Sequence, residues 1–283
     1  MTDLVVTLLY APADRPDVVA KALRSSADVV VLDLEDAVAP AHKSGARETV
    51  RAAVAGTDRA VQVRVNAPGT PWHDDDVALV STLRPEVGAR LPKVDDPAQV
   101  ADVARRLAGR PLHLLVESAL GVERAFSLAN ADPAVASLGL GEADLRSDLR
   151  CTSEEGLAFA RARIVVAARA AGLPSPLMSV YPHLRDLDGL RESSLAGRRL
   201  GFCGRAALHP AQLEVIRAAF TPTPDEIDRA RTVLERIGSA TSVGAGTVVL
   251  ADGSFLDGAM VEQARAVLAL AVATSRSGPS SGA

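Results

Sequence analysis

Short β-branched runs alternate with longer helical patterns from the first residues of this chain, and that rhythm leaves few folds open. It marks consecutive βα units, which demand a parallel sheet, and it excludes a sandwich of hairpins. Eight such units can be read. Strands are expected at Leu4–Tyr10, Asp28–Asp33, Ala60–Val65, Ala89–Pro92, Leu112–Val116, Val135–Gly139, Leu177–Val180 and Arg205–Leu208. The helices between them include Asp17–Ser25, one after Pro40, one ending near Leu107, one from Gly121 and a long one over Ser153–Ala171. Pro210 in the first turn of the helix after the eighth strand suits its fixed φ. No Gly-x-Gly-x-x-Gly turn follows the first strand, so a closed (β/α)₈ TIM barrel is favoured over an open doubly wound sheet.

The barrel is expected to span residues 1–220. After Phe220 the pattern changes to Thr-Pro-Thr-Pro, a charged helix from Asp225, a Gly-rich stretch and a last helix, which predicts a C-terminal helical or lid extension over residues 221–273. The Ser-, Gly- and Pro-rich stretch over 274–283 reads as a disordered tail.

Composition narrows the partners. With 48% hydrophobic residues but only 3% aromatic ones in 283, the core must be packed from small and branched aliphatics, as α/β layering allows. A net charge of −4, with 31 basic residues spread among 35 acidic ones, offers no basic face for nucleic acid. Two distant cysteines, Cys151 and Cys203, fit a reduced setting. The first residues lack signal-peptide features and no run is apolar long enough to span a bilayer, so a cytoplasmic protein without a membrane partner is expected.

A parallel barrel buries its strands, so charged residues directly after apolar strands mark the C-terminal rim, where this fold builds its active sites. Five places qualify: Asp33, Glu35 and Asp36 after the second strand; Arg64 with Asn66 on the third; Lys93 after the fourth; Glu117 after the fifth; and Gly141-Glu142-Ala143-Asp144 after the sixth. Carboxylates of Glu117 and Asp144, from neighbouring strands, could share a cation, and two carboxylates completed by water and substrate oxygens suit Mg²⁺. The competing reading is that each caps the following helix or pairs with an Arg. Arg64 could clamp a substrate carboxylate or carbonyl through two parallel hydrogen bonds, or form an internal ion pair with Asp33 or Glu35. Asp33, Glu35 and Asp36 read as supporting groups that cap the second helix and orient Arg64. His209, just before a helix-starting Pro, reads as positional, and Cys203 has no His placed to activate it. Asp74, Asp75 and Asp76 after Trp72-His73 read as a solvated helix start.

The stretches 10–16 (Tyr-Ala-Pro-Ala-Asp-Arg-Pro), 31–38 (Val-Leu-Asp-Leu-Glu-Asp-Ala-Val), 63–67 (Val-Arg-Val-Asn-Ala), 91–94 (Leu-Pro-Lys-Val), 116–118 (Val-Glu-Ser), 141–145 (Gly-Glu-Ala-Asp-Leu) and 208–212 (Leu-His-Pro-Ala-Gln) together resemble the citrate lyase β-subunit family of the HpcH/HpaI aldolase superfamily. The resemblance runs in order from about Leu8 to Leu268. It implies a carbon–carbon (oxo-acid) lyase with Mg²⁺, or Mn²⁺, on Glu117 and Asp144, with Arg64 binding and polarising the substrate. Backbone N–H groups from Gly141 through Glu142 and Ala143 would hold the substrate carboxylate. Coenzyme A, as part of the substrate, would lie near Tyr10, Lys21, His209 and Pro210. Asp257 matches the acid/base Asp that related malyl- and citramalyl-CoA lyases carry on the C-terminal extension into a neighbouring subunit, which implies a homo-oligomer, a trimer or a hexamer. Two departures stand out: Arg150, where many relatives have Gly, and Leu208, where Ile is usual.

The implied substrate is a small carboxylate or acyl-coenzyme A, with citryl-, malyl- and citramalyl-CoA as the cases. Alternatives are the β subunit of a multicomponent citrate lyase acting on a carrier-protein thioester, a condensing enzyme that also hydrolyses, and a non-catalytic ligand-binding barrel that retains the metal site.

Overall fold

A computed structural model of the chain describes residues 4–242, 248–249, 255–256 and 258–275. Eight strands, β1 (Thr7–Pro12), β2 (Val29–Asp33), β3 (Val61–Arg64), β4 (Gly88–Leu91), β5 (Leu112–Val116), β6 (Val135–Leu140), β7 (Leu177–Met178) and β8 (Gly204–Ala207), pair in sequence order and close into a barrel. All pairs are parallel, and β8 returns to β1 with Leu8 opposite Ala206. The helices are α1 (Pro16–Leu23), α2 (Lys43–Ala55), α3 (His73–Thr82), α4 (Pro97–Arg106), α5 (Ala119–Glu123), α6 (Ala125–Ala129), α7 (Glu142–Leu149), α8 (Ala158–Ala170), α9 (Leu187–Arg199) and α10 (Ala211–Phe220). The expected TIM barrel is therefore present, and its strands, such as the wholly buried Val-Val-Val-Leu-Asp of β2, are apolar because both faces are covered.

Several helix expectations need correction. Helix α7 begins immediately after β6, where no helix was placed before Ser153. The helix placed at Ser153 starts at Ala158, after a single 3₁₀ turn over Glu155–Leu157. The helix expected from Gly121 is two short pieces, α5 and α6, that meet at Arg124.

Contacts divide the described residues into two compact units, one over Val5–Ala219 and one from Phe220 onward. The second unit contains α11 (Pro224–Ser242), β9 (Val248–Val249), β10 (Phe255–Leu256) and α12 (Gly258–Ser275), with β9 and β10 antiparallel. A reciprocal pair of bonds starts α11: Glu226 Oε2 accepts the Thr223 N–H at 2.7 Å, and Thr223 Oγ1 accepts the Glu226 N–H at 3.2 Å. Helix α12 continues through Ser275, so Thr274, expected to open a disordered tail, is helical and donates its hydroxyl to Leu270 O at 2.9 Å.

Inside the barrel, alternate strand residues share a face. On the β1, β2 and β8 side these are aliphatic: Leu8, Val29, Val31 and Ala206 pack together, with Tyr10 and Leu177 against them. On the β3 to β6 side they are polar. Arg90 Nε and Nη2 donate to Gln62 Oε1 at 3.0 and 2.8 Å, and His113 Nδ1 lies 2.8 Å from Ser137 Oγ. Burial, then the charge of Arg90, pushes the His113 imidazole down to about 3, so it is neutral. Gly88 is required beside it, since a Cβ there would stand 2.7 Å from His113 Nε2. This polar layer is the floor on which the C-terminal rim is built.

Candidate active site

The first part of the rim is a compact ion-pair cluster at the ends of β2, β3 and β4. Arg64 Nε donates to Asp33 Oδ1 at 2.8 Å and Nη2 to Asp33 Oδ2 at 2.6 Å, a two-point fork. Arg64 Nη1 lies 2.9 Å from Glu35 Oε2 and 3.6 Å from Asp36 Oδ2. Lys93 Nζ reaches Glu35 Oε1 at 2.8 Å and Asp36 Oδ1 at 3.3 Å. Both readings of Arg64 from the sequence thus meet here: it is internally paired, and it stands at the barrel mouth, with its guanidinium carbon 5.2 Å from the centre of the Tyr10 ring.

Asp33, Glu35 and Asp36 do orient Arg64, but they do not cap the second helix. Asp33 Oδ1 accepts the Glu35 N–H at 2.9 Å in a local turn, and the next helical turn begins only at Pro40 with no side-chain cap. Beneath them a buried network that the sequence reading missed holds the strand ends. Lys43 Nζ donates to Leu34 O at 2.6 Å, Glu35 O at 2.7 Å and Asn66 Oδ1 at 2.7 Å. Asp76, expected to be solvated, is fully buried, accepts from Asn66 Nδ2 at 2.6 Å and pairs with Arg47 at 3.0 Å. A cavity of about 260 Å³ opens beside Glu35, Asp36 and Lys93 and is walled by Val38, Thr70 and Trp72.

The second part lies at the ends of β5 and β6. Glu117 does not cap the helix that follows, because Ser118 does so by accepting the Gly121 N–H at 3.0 Å. The Glu117 side chain is turned into the barrel mouth, 5% exposed, and its Oε2 accepts the Lys93 N–H at 3.0 Å. Lys93 presents that N–H from a left-handed backbone, φ 54°, which a non-glycine residue adopts only at some cost. Gly141 makes room for the carboxylate: a Cβ there would stand 2.0 Å from Glu117 Oε1. Asp144 is exposed in the first turn of α7 and serves no cap. Burial, then the negative charges of Glu35 and Asp144, push the Glu117 carboxyl up to about 8.

That shift tests the fit of a divalent ion. Around one mouth stand the carboxylates of Asp33, Glu35, Asp36, Glu117 and Asp144, and the ion pairs of Arg64 and Lys93 go to the first three of them. Asp33 and Glu35 are ion-paired with those cations, although burial still pushes the Glu35 carboxyl up, whereas Glu117 is buried with no cation paired to it among the described residues. Among the described residues no cluster of three or more His, Cys, Asp or Glu could enclose a metal by itself. An oxygen-liganded ion held by two carboxylates and completed from outside the chain fits this donor set.

The HpcH/HpaI aldolase/citrate lyase family matches residues 6–210. The chain belongs to that family. As a member of the HpcH/HpaI family it is an oxo-acid lyase. It is 34% identical over 284 residues to a (3S)-malyl-CoA thioesterase of Cereibacter sphaeroides, covering 97% of each protein. It is 32% identical to the citrate lyase subunit beta of Leuconostoc mesenteroides subsp. cremoris, over 94% of this chain and 92% of that one. Among solved structures it is similar to CitE of Mycobacterium tuberculosis in complex with magnesium, acetoacetate and coenzyme A, with a TM-score of 0.80 and 32% identity over 95% of this chain and 98% of that one.

The remaining residues singled out from the HpcH/HpaI resemblance are placed as follows. Tyr10 is in the barrel mouth under Arg64, Lys21 is exposed on α1, and Pro210 is exposed just before α10. His209 is exposed and its Nδ1 accepts the Ala211 N–H at 3.1 Å, a helix-start contact in keeping with a positional role. No contact among the described residues joins Tyr10, Lys21 and His209. Asp257 lies outside the described residues. Cys203 is buried with its thiol pushed up to about 12 by desolvation, and its Sγ donates to Ser175 O at 2.9 Å, which rules it out as a nucleophile. Both cysteines are free. Among the described residues no helix is long and apolar enough to cross a membrane.

Proposed function

We propose that the chain is a Mg²⁺-dependent lyase that cleaves, or in reverse forms, a 3-hydroxyacyl thioester such as citryl-, malyl- or citramalyl-coenzyme A, giving an acetyl thioester and an oxo acid. The observation that carries the proposal is the buried, charge-opposed Glu117 carboxylate beside Asp144, at the mouth of a barrel whose Arg64 stands on the adjacent strand ends. Glu117 and Asp144 would hold the ion. When bound it supplies positive charge where negative charge develops in the reaction.

The chain's own groups account for the rest. Arg64 is oriented by its fork to Asp33, and Nη1, shared between Glu35 and Asp36, is the nitrogen placed to turn to a substrate oxygen. The Gly141 N–H is spent on Val116 O at 3.0 Å and the Glu142 N–H on Ser179 Oγ at 3.3 Å, so of the first N–H groups of α7 those of Ala143 and Asp144, which have no intrahelical acceptor, suit the substrate carboxylate. Cleavage needs a base for the 3-hydroxyl proton; the carbon–carbon bond then breaks, its electron pair goes to the carbon beside the thioester, and that carbon takes a proton. The family resemblance gives the acid/base role to Asp257, carried by a neighbouring subunit of a homotrimer or hexamer; a cytoplasmic setting is proposed from the cysteine usage and the first residues of the sequence. Lys21, Tyr10 and the His209-Pro210 turn are the proposed coenzyme A contacts.

A second reading has a specific basis. The thioesterase relative, at 34% identity, is as similar to this chain as the lyase subunits are, so hydrolysis of the thioester is a competing outcome at the same site. Purified chain incubated with citryl-, malyl- and citramalyl-CoA, with Mg²⁺ or with chelator, distinguishes them by product: acetyl-CoA plus an oxo acid for the lyase, free coenzyme A for the hydrolase. Asp144→Ala is expected to abolish metal-dependent turnover, by about 10³-fold or more. Normal Mg²⁺-dependent activity in that variant would refute the site. Activity with the coenzyme A esters excludes strict dependence on a carrier protein.

A further inference from the structure

Helix α7 carries two carboxylates in its first turn, Glu142 and Asp144, and only one of them is held. Arg161, from α8, grips Glu142 through both of its forked nitrogens, Nε to Oε1 at 2.7 Å and Nη2 to Oε2 at 2.6 Å. Both side chains are nearly buried, at 13% and 12% exposure, so the fork is shielded from water. Arg161 Nη2 also reaches Glu154 at 2.7 Å, and Glu154 accepts from Arg146 of α7 at 2.6 Å. The Glu142 N–H is fixed separately by Ser179 Oγ at 3.3 Å. The start of α7 is thus tied to α8, to the loop before it and to the end of β7.

Residues two apart on a helix point to different sides. Pinning Glu142 against α8 fixes the rotation of that first turn, and with it the direction of Asp144, which interacts electrostatically with Glu117 and Lys93. It also removes a competitor. A free Glu142 carboxylate at a helix N-terminus would place a negative charge on the same N–H groups that are to receive the substrate carboxylate.

We infer that Arg161 is a positioning residue of the catalytic site: its fork on Glu142 aims Asp144 at the metal position and keeps the N-terminus of α7 free for the substrate carboxylate. The inference rests on the site proposed above, in which Asp144 is a metal ligand. Neither Arg161 nor the Glu142 side chain contacts the reacting atoms in this assignment, so loss of the fork weakens binding through geometry.

The test is calorimetric titration of Mg²⁺ into the full-length protein, alongside steady-state kinetics on the thioester that it turns over. Arg161→Gln is expected to raise the Mg²⁺ dissociation constant and the KM about tenfold or more, the range for second-layer partners of metal ligands. Arg161→Lys, which keeps the charge but not the fork, should recover part of the loss. Glu142→Gln and the double variant should resemble Arg161→Gln, because the two residues act as one unit. A folded Arg161→Gln, or Arg161→Lys and Glu142→Gln should it fail to fold, with Mg²⁺ affinity and KM within twofold of the parent would overturn the inference. If the parent protein binds no Mg²⁺ at all, the metal site itself has failed; if the parent binds and the variants bind equally, only the role of Arg161 has.

Discussion

The two parts of the rim hold comparable numbers of carboxylates in opposite electrostatic conditions. At the ends of β2 to β4, Asp33 and Glu35 are buried but answered by Arg64 and Lys93 at 2.6 to 2.9 Å. At the ends of β5 and β6, Glu117 is equally buried, and a backbone N–H and the more distant charges of Arg64 and Lys93 do not offset its desolvation and the repulsion from Glu35 and Asp144. One side is closed on itself; the other is left open to a cation. A barrel can therefore carry a cluster of acids on its rim for two unrelated reasons, and pairing distinguishes them better than position does.

Removing Arg64 tests the closed side and gives the largest expected change in stability. Arg64→Ala leaves Asp33 and Glu35 buried without their partner, which costs about 3–5 kcal/mol for a pair of this kind. Asp144→Ala, by contrast, takes away a charge that opposes Glu117, so it should leave stability unchanged or raised while turnover is lost. Chemical denaturation of the two variants reads the difference directly. Equal destabilisation by both would mean that the two sides are not distinct in the way described.

The comparison also bears on what could be read from sequence. The barrel was legible because strand and helix periods are local, and the rim residues because they lie at the ends of apolar strands or within four positions after them. Pairing is not local. Asp33 and Arg64 are 31 residues apart and Glu142 and Arg161 are 19 apart, so the first could be offered only as an alternative and the second was not seen. Asp76 was misread because its neighbours Asp74 and Asp75 are indeed exposed, and only the fold brings Asn66 and Arg47 onto the third acid. Helix α7 was missed because Glu-Ala-Asp-Leu-Arg-Ser-Asp-Leu buries a single residue, Leu145, and so has no apolar stripe.

The open side makes a pH-dependent prediction of intermediate size. The Glu117 carboxyl, ordinarily at 4.5, stands at about 8 in the metal-free protein. A group raised on folding contributes stability that is fully present below its unfolded value and is lost as pH rises through its folded value. Metal-free protein should thus lose stability between about pH 4.5 and pH 8, and Glu117→Gln should flatten that decline. Mg²⁺ requires the ionised form, so its affinity should fall on the order of tenfold per pH unit below that value. Thermal unfolding with and without Mg²⁺ at pH 6 and pH 8 gives the check: a larger stabilising shift at pH 8 is expected. A shift that is equal at both, or larger at pH 6, would remove Glu117 from the metal position.

The smallest expected effect concerns Arg150, at the C-terminal end of α7. The position closes α7 in the left-handed conformation, φ 53° and ψ 30°, with its N–H bonded back to the helix. Glycine adopts that conformation without the steric cost that a Cβ imposes, which is why it is the usual residue just past a helix end. Arg150 is exposed, and among the described residues no ion pair or hydrogen bond of its side chain offsets that cost. Arg150→Gly should accordingly stabilise the protein by about 0.5–1 kcal/mol. Because α7 is fixed at its other end by Glu142 and Arg161, the change should leave Mg²⁺ affinity as it was. A gain in stability with an unchanged dissociation constant is the outcome that separates the two ends of this helix, one set by backbone conformation and the other by charge. A weakened Mg²⁺ site in Arg150→Gly would show instead that the arginine side chain takes part in the rim.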